Sequence, residues 1–460
     1  MEIDPDSAKM STTRTVSEFV AGLNFSDLTP HIIQRTKDHI LDQLAIQIGV
    51  STKPWLKLAV DYVKSQANHL EASIAGAPEK VSAENAAFAN GAFGHGFEMD
   101  DVYSPALAHP GPVVVPAALA VAERDGLSGK ALIEAVVVGY EVMGRCGYAL
   151  SPSQLYRGFH PTSAAGPLGS VAAAGKLMGL DEDRMVHAIA ISASFCSGVT
   201  ECYKSGGEVK RYHGGIAASG GIRAAALAKL GLTGPATILE GPLGIRAMSD
   251  TYTPEVITDG LGERFVVADI WTKKYAANGM IHAPADAVDI IRARRPFEAD
   301  DVKRITVGAN QHAINEVGSI RKPKDIFGFQ FSMNYALALQ IVKRGNNFDA
   351  YTEANLVDPF IGALAERIFT ETDEKVDSWF PEKIGGRVRI EFVDGSTEEE
   401  LVEDCRGTPG NPMNAEELEA KARAVASMSM ETGKFDEVIK AVRSLEDIAD
   451  VRTLGDALRG

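Results

Sequence analysis

Apolar positions in the first half of the chain recur at helical spacing. In PHIIQRTKDHILDQLAIQIGV, Ile32, Ile33, Ile40, Leu41, Leu44 and Ile48 share one face. Thr29 ahead of Pro30 predicts an N-cap with proline at the first helical position. TVSEFVAGL predicts a shorter helix before it, and PWLKLAVDYVKSQ, SAENAAFANGAFGHGFE, PVVVPAALAVAERDG and SGKALIEAVVVGYEVMGRCGYAL predict four after it. SAAGPLGSVAAAGKLMGL, DEDRMVHAIAISASFCSG and GGIAASGGIRAAALAKLGL carry the pattern to about residue 232. Several of these segments are apolar on nearly every face and rich in Ala and Gly. Helices of that kind belong inside a helical core, where small residues let backbones approach closely.

Beyond Pro284 the period changes. ADAVDIIRARR reads as a helix, whereas Val302, Ile305 and Val307 in DVKRITVGAN suit a strand. FSMNYALALQIVKRG is helical again, and GRVRIEFVDGSTEEELVED holds two strand-like runs joined at Asp394-Gly395, a strong hairpin signal. The tail from NAEELEAKARAVASM returns to amphipathic helices. The predicted architecture is mostly α with a smaller α+β domain. A helical domain is built from residues 1–274 and 406–460, and the α+β domain spans 275–405.

Composition narrows the function classes. The 460 residues are 45% apolar and 23% charged, ordinary for a globular protein, and the formal charge of −16 argues against a nucleic-acid surface. A few lysines still suffice for a local positive pocket that takes an anionic small molecule. Cys146, Cys196, Cys202 and Cys405 include no CxxC pair, which fits reduced thiols rather than a zinc ribbon or an iron–sulfur cluster. MEIDPDSAKMSTTRTV lacks the basic and apolar regions of a signal peptide, and no apolar run reaches the ~20 residues of a membrane span. A cytoplasmic protein with no membrane partner is expected.

Against this small-residue background, four polar islands stand at helix ends. The first, GHGFEMDDVYSPALAHPGPVVVP, carries His95, Glu98, Asp100, Asp101, Tyr103 and His109. The second, RGFHPTSAAGPLG, carries Arg157, His160, Thr162 and Ser163, the last two placed to cap the helix that follows. The third, ECYKSGGEVKRYHGG, carries Lys204, Lys210, Arg211 and His213, and the fourth, WTKKYAANGMIHAP, carries Lys273, Lys274, Asn278 and His282. The HxxxxDD spacing of His95, Asp100 and Asp101 could offer ligands to a metal. No HExxH or paired-His spacing supports one, and lysines dominate the other islands, so no metal is expected. Gly-rich stretches follow no predicted strand, which disfavours NAD and ATP, and GPLGS lacks the GxSxG frame of a serine hydrolase. Several cations beside several imidazoles instead suit a carboxylate substrate whose α-carbon gains or loses a proton.

GHGFEMDD…AHPGPVVVPAALAVAE, RGFHPTSAAGPLGSVAAAGKLMGLD, KRYHGGIAASGGIRAAALAKLGLTGP, KKYAANGMIH and FSMNYALAL, in that order, resemble the MmgE/PrpD family. That family includes 2-methylcitrate dehydratase, cis-aconitate decarboxylase and iminodisuccinate epimerase. The resemblance implies a helical domain with an α+β lid, a homodimer, and cofactor-free, metal-free chemistry on small di- or tricarboxylates in a cleft between domains. It places His109, His160, Lys210 and Lys273 as the catalytic set. Glu98, Asp100, Asp101, Tyr103, Arg157, Lys204, His213 and His282 form the candidate substrate-binding set. The implied activity is a hydro-lyase of the 2-methylcitrate dehydratase type, with epimerisation, decarboxylation or mere polycarboxylate binding as alternatives. Three departures from the family's pattern bear on this: Glu98 at an aspartate position, Val102 at a threonine position, and Ala276-Ala277-Asn278 where Pro and Cys-Cys or His are usual. They argue against cis-aconitate decarboxylation.

Overall fold

The computed structural model describes residues 11–67 and 69–459; the acidic leader on which the signal-peptide expectation rests lies mostly outside them. The first half is helical: α1 Thr12–Gly22, α2 Pro30–Val50, α3 Pro54–Lys64, α4 Ala83–Gly94, α5 Gly111–Asp125, α6 Gly129–Leu150, α7 Pro161–Leu177, α8 Glu182–Ser192 and α9 Val209–Lys229. Thr29 caps α2 by accepting from the Ile32 N–H, with Pro30 following it. α4, α5, α6, α7 and α9 pack on one another, and every residue of α5 from Gly111 to Glu123 is buried. Glycine sets the spacing at the crossing that matters most for the site. A Cβ added to Gly91 on α4 would stand 2.7 Å from the Cα of Gly215 on α9, so these helices touch backbone to backbone.

The α4 segment predicted to run through Glu98 stops at Gly94, with His95 as the capping residue. The glycines at 91, 94 and 96 that allow close packing also weaken the helix at its end. Likewise the helix over DEDRMVHAIAISASFCSG ends at Ser192, and only a 3₁₀ turn, Ala193–Phe195, continues it.

A two-residue ladder pairs β1 Ala72–Ser73 with β2 Lys80–Val81. The second half forms a mixed four-stranded sheet of β3 Val302–Ala309, β4 Ile368–Thr372, β5 Gly386–Phe392 and β6 Thr397–Val402, in the order β4-β3-β5-β6. β3 runs parallel to β4 and antiparallel to β5, while β5 and β6 form the predicted hairpin, turning at Asp394 and a left-handed Gly395. Ile305, Val307, Val388 and Ile390 are fully buried on its inner face. Helix α10, His282–Arg294, packs on β5 and β6, and α11, Met333–Lys343, packs against α10 and β4. The chain then returns through α12 Ala415–Ala426 and α13 Thr432–Arg443, which pack on α2, and α14 Arg452–Leu458, which packs on α5. The protein is thus mostly α with a smaller α+β domain. All four cysteines are free, and no helix among the described residues is long and apolar enough to cross a membrane.

Candidate active site

A narrow cleft opens where the helical and α+β domains meet. The helical side contributes Glu98, Val102, His109, His160, Tyr203, Lys210 and Lys273; the other side contributes Asn278, His312, Glu316 and Phe331. All four residues of the expected catalytic set therefore face one cavity, though they come from four separate islands.

Local structure explains how they meet. Past α4 the chain reverses through Glu98, whose φ of 58° is left-handed, and Val102 then pairs with Trp271 in an antiparallel bridge. The two bonds of that bridge, 2.9 and 2.8 Å, bring Lys273 alongside residues 98–102. Lys210 opens α9, and the Gly91–Gly215 contact holds α9 against α4, so the Lys210 ammonium reaches Glu98. Thr162 does not cap α7. Its Oγ1 accepts the His109 N–H at 3.1 Å, while His160 is the N-cap residue and its own N–H bonds Gly198 O at 3.0 Å. The expected cap at Thr162 is therefore a cross-link between the two histidine loops, and Ser163 Oγ, buried, has no partner in the structure.

Glu98 bridges the two lysines. It pairs with Lys210 through Oε1 and stands 3.7 Å from Lys273 through Oε2, and Lys273 also donates to Glu98 O at 3.2 Å. Lys210 and Lys273 are almost fully buried. Burial raises the Glu98 pKa, yet the two ammonium groups outweigh it and hold the carboxyl well below its usual range. Asp100 accepts from His95 Nδ1 at 2.6 Å and lies 3.2 Å from His109 Nδ1. His109 Nδ1 also meets Asp101 O at 2.7 Å, which leaves Nε2 as the nitrogen free to act in the cleft. Burial, opposed by the Asp100 charge, pushes the His109 pKa down to about 3, so its imidazole is neutral at pH 7. His160 Nδ1 and His213 Nδ1 lie 2.9 Å apart, one donating to the other. Burial lowers both, His213 to about 4. The rings of His109, His95, His160 and His213 follow one another at centroid separations of 5.2, 5.3 and 5.0 Å.

Not every candidate reaches the cleft. Asp101 turns away: Oδ1 accepts from the Gly111 N–H at 2.8 Å and Oδ2 from the Tyr140 hydroxyl at 2.7 Å. Burial raises its pKa to about 7, and its task is to pin α5 to the loop. Tyr103 lines a separate hollow with Arg145 and Asp269. Arg157 is exposed and bound to Asp250 at 2.5 Å, and Lys204 is exposed. His282 is wholly buried between Trp271 and Tyr275, with Nε2 on Ala277 O at 3.3 Å. His213 and Asp100 act one layer back, each holding a cleft histidine. Conversely, Tyr203, His312, Glu316 and Phe331 line the cleft without having been picked out from the sequence. The His312/Glu316 spacing, i and i+4 after a predicted strand, was the signal available.

His95, Asp100 and His109 place donor atoms within 4.8 Å of one another. These atoms already bond each other, and the Lys273 ammonium stands 4.0 Å from Asp100 Oδ1, so a cation would be opposed there.

The model of the MmgE/PrpD N-terminal domain matches residues 14–256, and that of the C-terminal domain matches 275–447. The chain belongs to the MmgE/PrpD family. Among its MmgE/PrpD relatives, a cis-aconitate decarboxylase of Homo sapiens is 29% identical over 466 residues, covering 98% of this chain and 95% of that protein. A cis-aconitate decarboxylase of Aspergillus terreus is 28% identical, with 98% and 96% covered, and one of Mus musculus is 28% identical, with 98% and 94% covered. All three departures from the MmgE/PrpD pattern noted in the sequence touch the cleft, through Glu98, Val102 and Asn278.

Proposed function

We propose that the protein is a lyase acting on a small di- or tricarboxylate. The observation that carries this reading is the convergence of Lys210 and Lys273 on one carboxylate, Glu98, inside a chain of neutral imidazoles. A substrate carboxylate would share these ammonium groups with Glu98, and they would spread the charge that develops at the adjacent carbon. His109 Nε2 can take a proton, and His160, whose Nδ1 is engaged by His213, can give one from Nε2 when His213 is the donor of that pair. In elimination of water, His109 takes the proton from carbon, the C–H pair forms the double bond, the C–O pair leaves with the hydroxyl oxygen, and His160 protonates that oxygen to give water. In loss of CO2, the C–C pair passes into the conjugated carboxylate and one proton is taken up.

The relatives' names favour loss of CO2 and give cis-aconitate precedence as a test substrate; nothing in them favours 2-methylcitrate. Val102, apolar in the cleft wall, favours the second reading, dehydration or epimerisation. Incubation in D2O with cis-aconitate, 2-methylcitrate and citrate, followed by proton NMR, separates them. One deuterium retained in a product lacking a carboxyl marks decarboxylation, loss of water marks dehydration, and α-exchange alone marks epimerisation. Silence with all three would overturn the lyase reading. A homodimer is part of the same proposal, and sedimentation at micromolar concentration tests it.

A further inference from the structure

Facing the lysines, the second wall of the cleft carries one ionisable cluster with no assigned task. The short helix Gln311–Glu316 follows β3 and is capped by Asn310, whose Oδ1 accepts from the Ala313 N–H at 2.7 Å. His312 and Glu316 share one face of it, with His312 Nε2 and Glu316 Oε2 3.0 Å apart. Glu316 Oε1 accepts from Asn278 Nδ2 at 3.1 Å, and Asn278 is itself fixed by accepting the Met280 N–H at 2.9 Å. With both Glu316 oxygens engaged, the group this cluster offers is the imidazole. The His312 ring stacks on Phe380 at 5.3 Å, has Tyr156 at 6.0 Å, and is 15% exposed. Burial works to lower its pKa, but the bond and charge of Glu316 prevail and raise it. The histidines of the facing wall shift the other way.

We propose that His312, clamped by Glu316, determines specificity by binding the substrate carboxylate remote from Lys210 and Lys273. This rests on reading the cleft as a polycarboxylate site. A substrate with one carboxylate satisfies only the lysine wall and leaves the His312 ring nitrogen that Glu316 does not engage without a partner, which a hydrogen-bonding site penalises strongly. Glu316 is then a positioning residue acting through His312. Asn278, where the sequence departs from the family's pattern, ties that carboxylate in place.

Calorimetric titration with cis-aconitate and with the monocarboxylate crotonate tests this on the full chain and on His312→Gln and Glu316→Gln, each checked for an unchanged thermal midpoint. The expected result is a wild-type preference for cis-aconitate of tenfold or more. His312→Gln should lose about tenfold toward cis-aconitate and nothing toward crotonate, and Glu316→Gln should lose a smaller part. If either variant is unstable, the other carries the test. Where turnover exists, KM should rise while kcat stays within twofold. Wild-type preference retained in the folded variants overturns the proposal even if the enzyme turns over. A preference that depends on His312 without any turnover upholds it and defeats the lyase reading. No binding of cis-aconitate to the wild type overturns both.

Discussion

The two walls of the cleft are built differently. On the helical side, Lys210, Lys273, His160 and Asp100 are buried, and each has at least one polar partner held by a second element. The helices that carry or flank them touch through glycine and alanine, so side-chain positions follow from backbone positions. On the α+β side, His312 and Glu316 sit on a six-residue helix, are each 15% exposed, and are tied to the neighbouring loop through Asn278. Tight packing suits groups that must meet reacting atoms within a fraction of an ångström. The looser wall can change residues without disturbing the fold, which is where substrate choice can vary.

The sharpest break comes from the helical wall itself. Lys210→Ala or His109→Gln should cut kcat/KM by about 10³, the scale of losing a charge-stabilising group or a general base; steady-state kinetics with the substrate found by NMR would show it. Next, Gly215→Ala should lower stability by about 1–3 kcal/mol through overpacking and also displace Lys210, so calorimetry and kinetics should fall together. An alanine there with wild-type kcat would show that backbone contact does not set the site.

The walls should also titrate in opposite senses. The folded pKa of His109, about 3, lies below its unfolded value near 6.5. Its contribution to stability is present above pH 6.5 and lost as pH falls toward 3. His312, raised, contributes below pH 6.5 and loses that contribution as pH rises through its folded value. Asp101, raised to about 7, also loses stability as pH rises from 4 to 7, so the comparison is made by difference. Midpoints of His109→Gln should fall less steeply with acid than the wild type, and those of His312→Gln less steeply above neutrality. Last, Asn278→Ala should raise KM by less than tenfold with kcat within twofold, the smallest effect, because it loosens Glu316 without removing His312.

Much of this was readable in the chain. Helical period, the Thr29-Pro30 start and the Asp394-Gly395 hairpin each express a local rule, and the structure follows them. β4 was not read, because only Ile368 of its five residues is buried and an edge strand needs no alternating pattern. The family motifs named the histidines and lysines of the helical wall but not Tyr203. They could not separate Asp101, which pins a helix, from Asp100, which holds two histidines, since adjacent carboxylates look alike until their partners are known. His312 escaped notice for a related reason: it lies outside every polar island, and its partner Glu316 is fixed by Asn278, thirty-eight residues before it in the chain.

Lys421 on α12 bonds Asp42 at 2.7 Å and reaches Met99 O at 3.4 Å, between the two site carboxylates Glu98 and Asp100. The loop that carries the chemistry is thus braced by a residue translated more than three hundred positions later. A ribosome making this protein holds an unbraced site until the last helices emerge, so a chain released early would carry the histidines and lysines without the strut that aligns them.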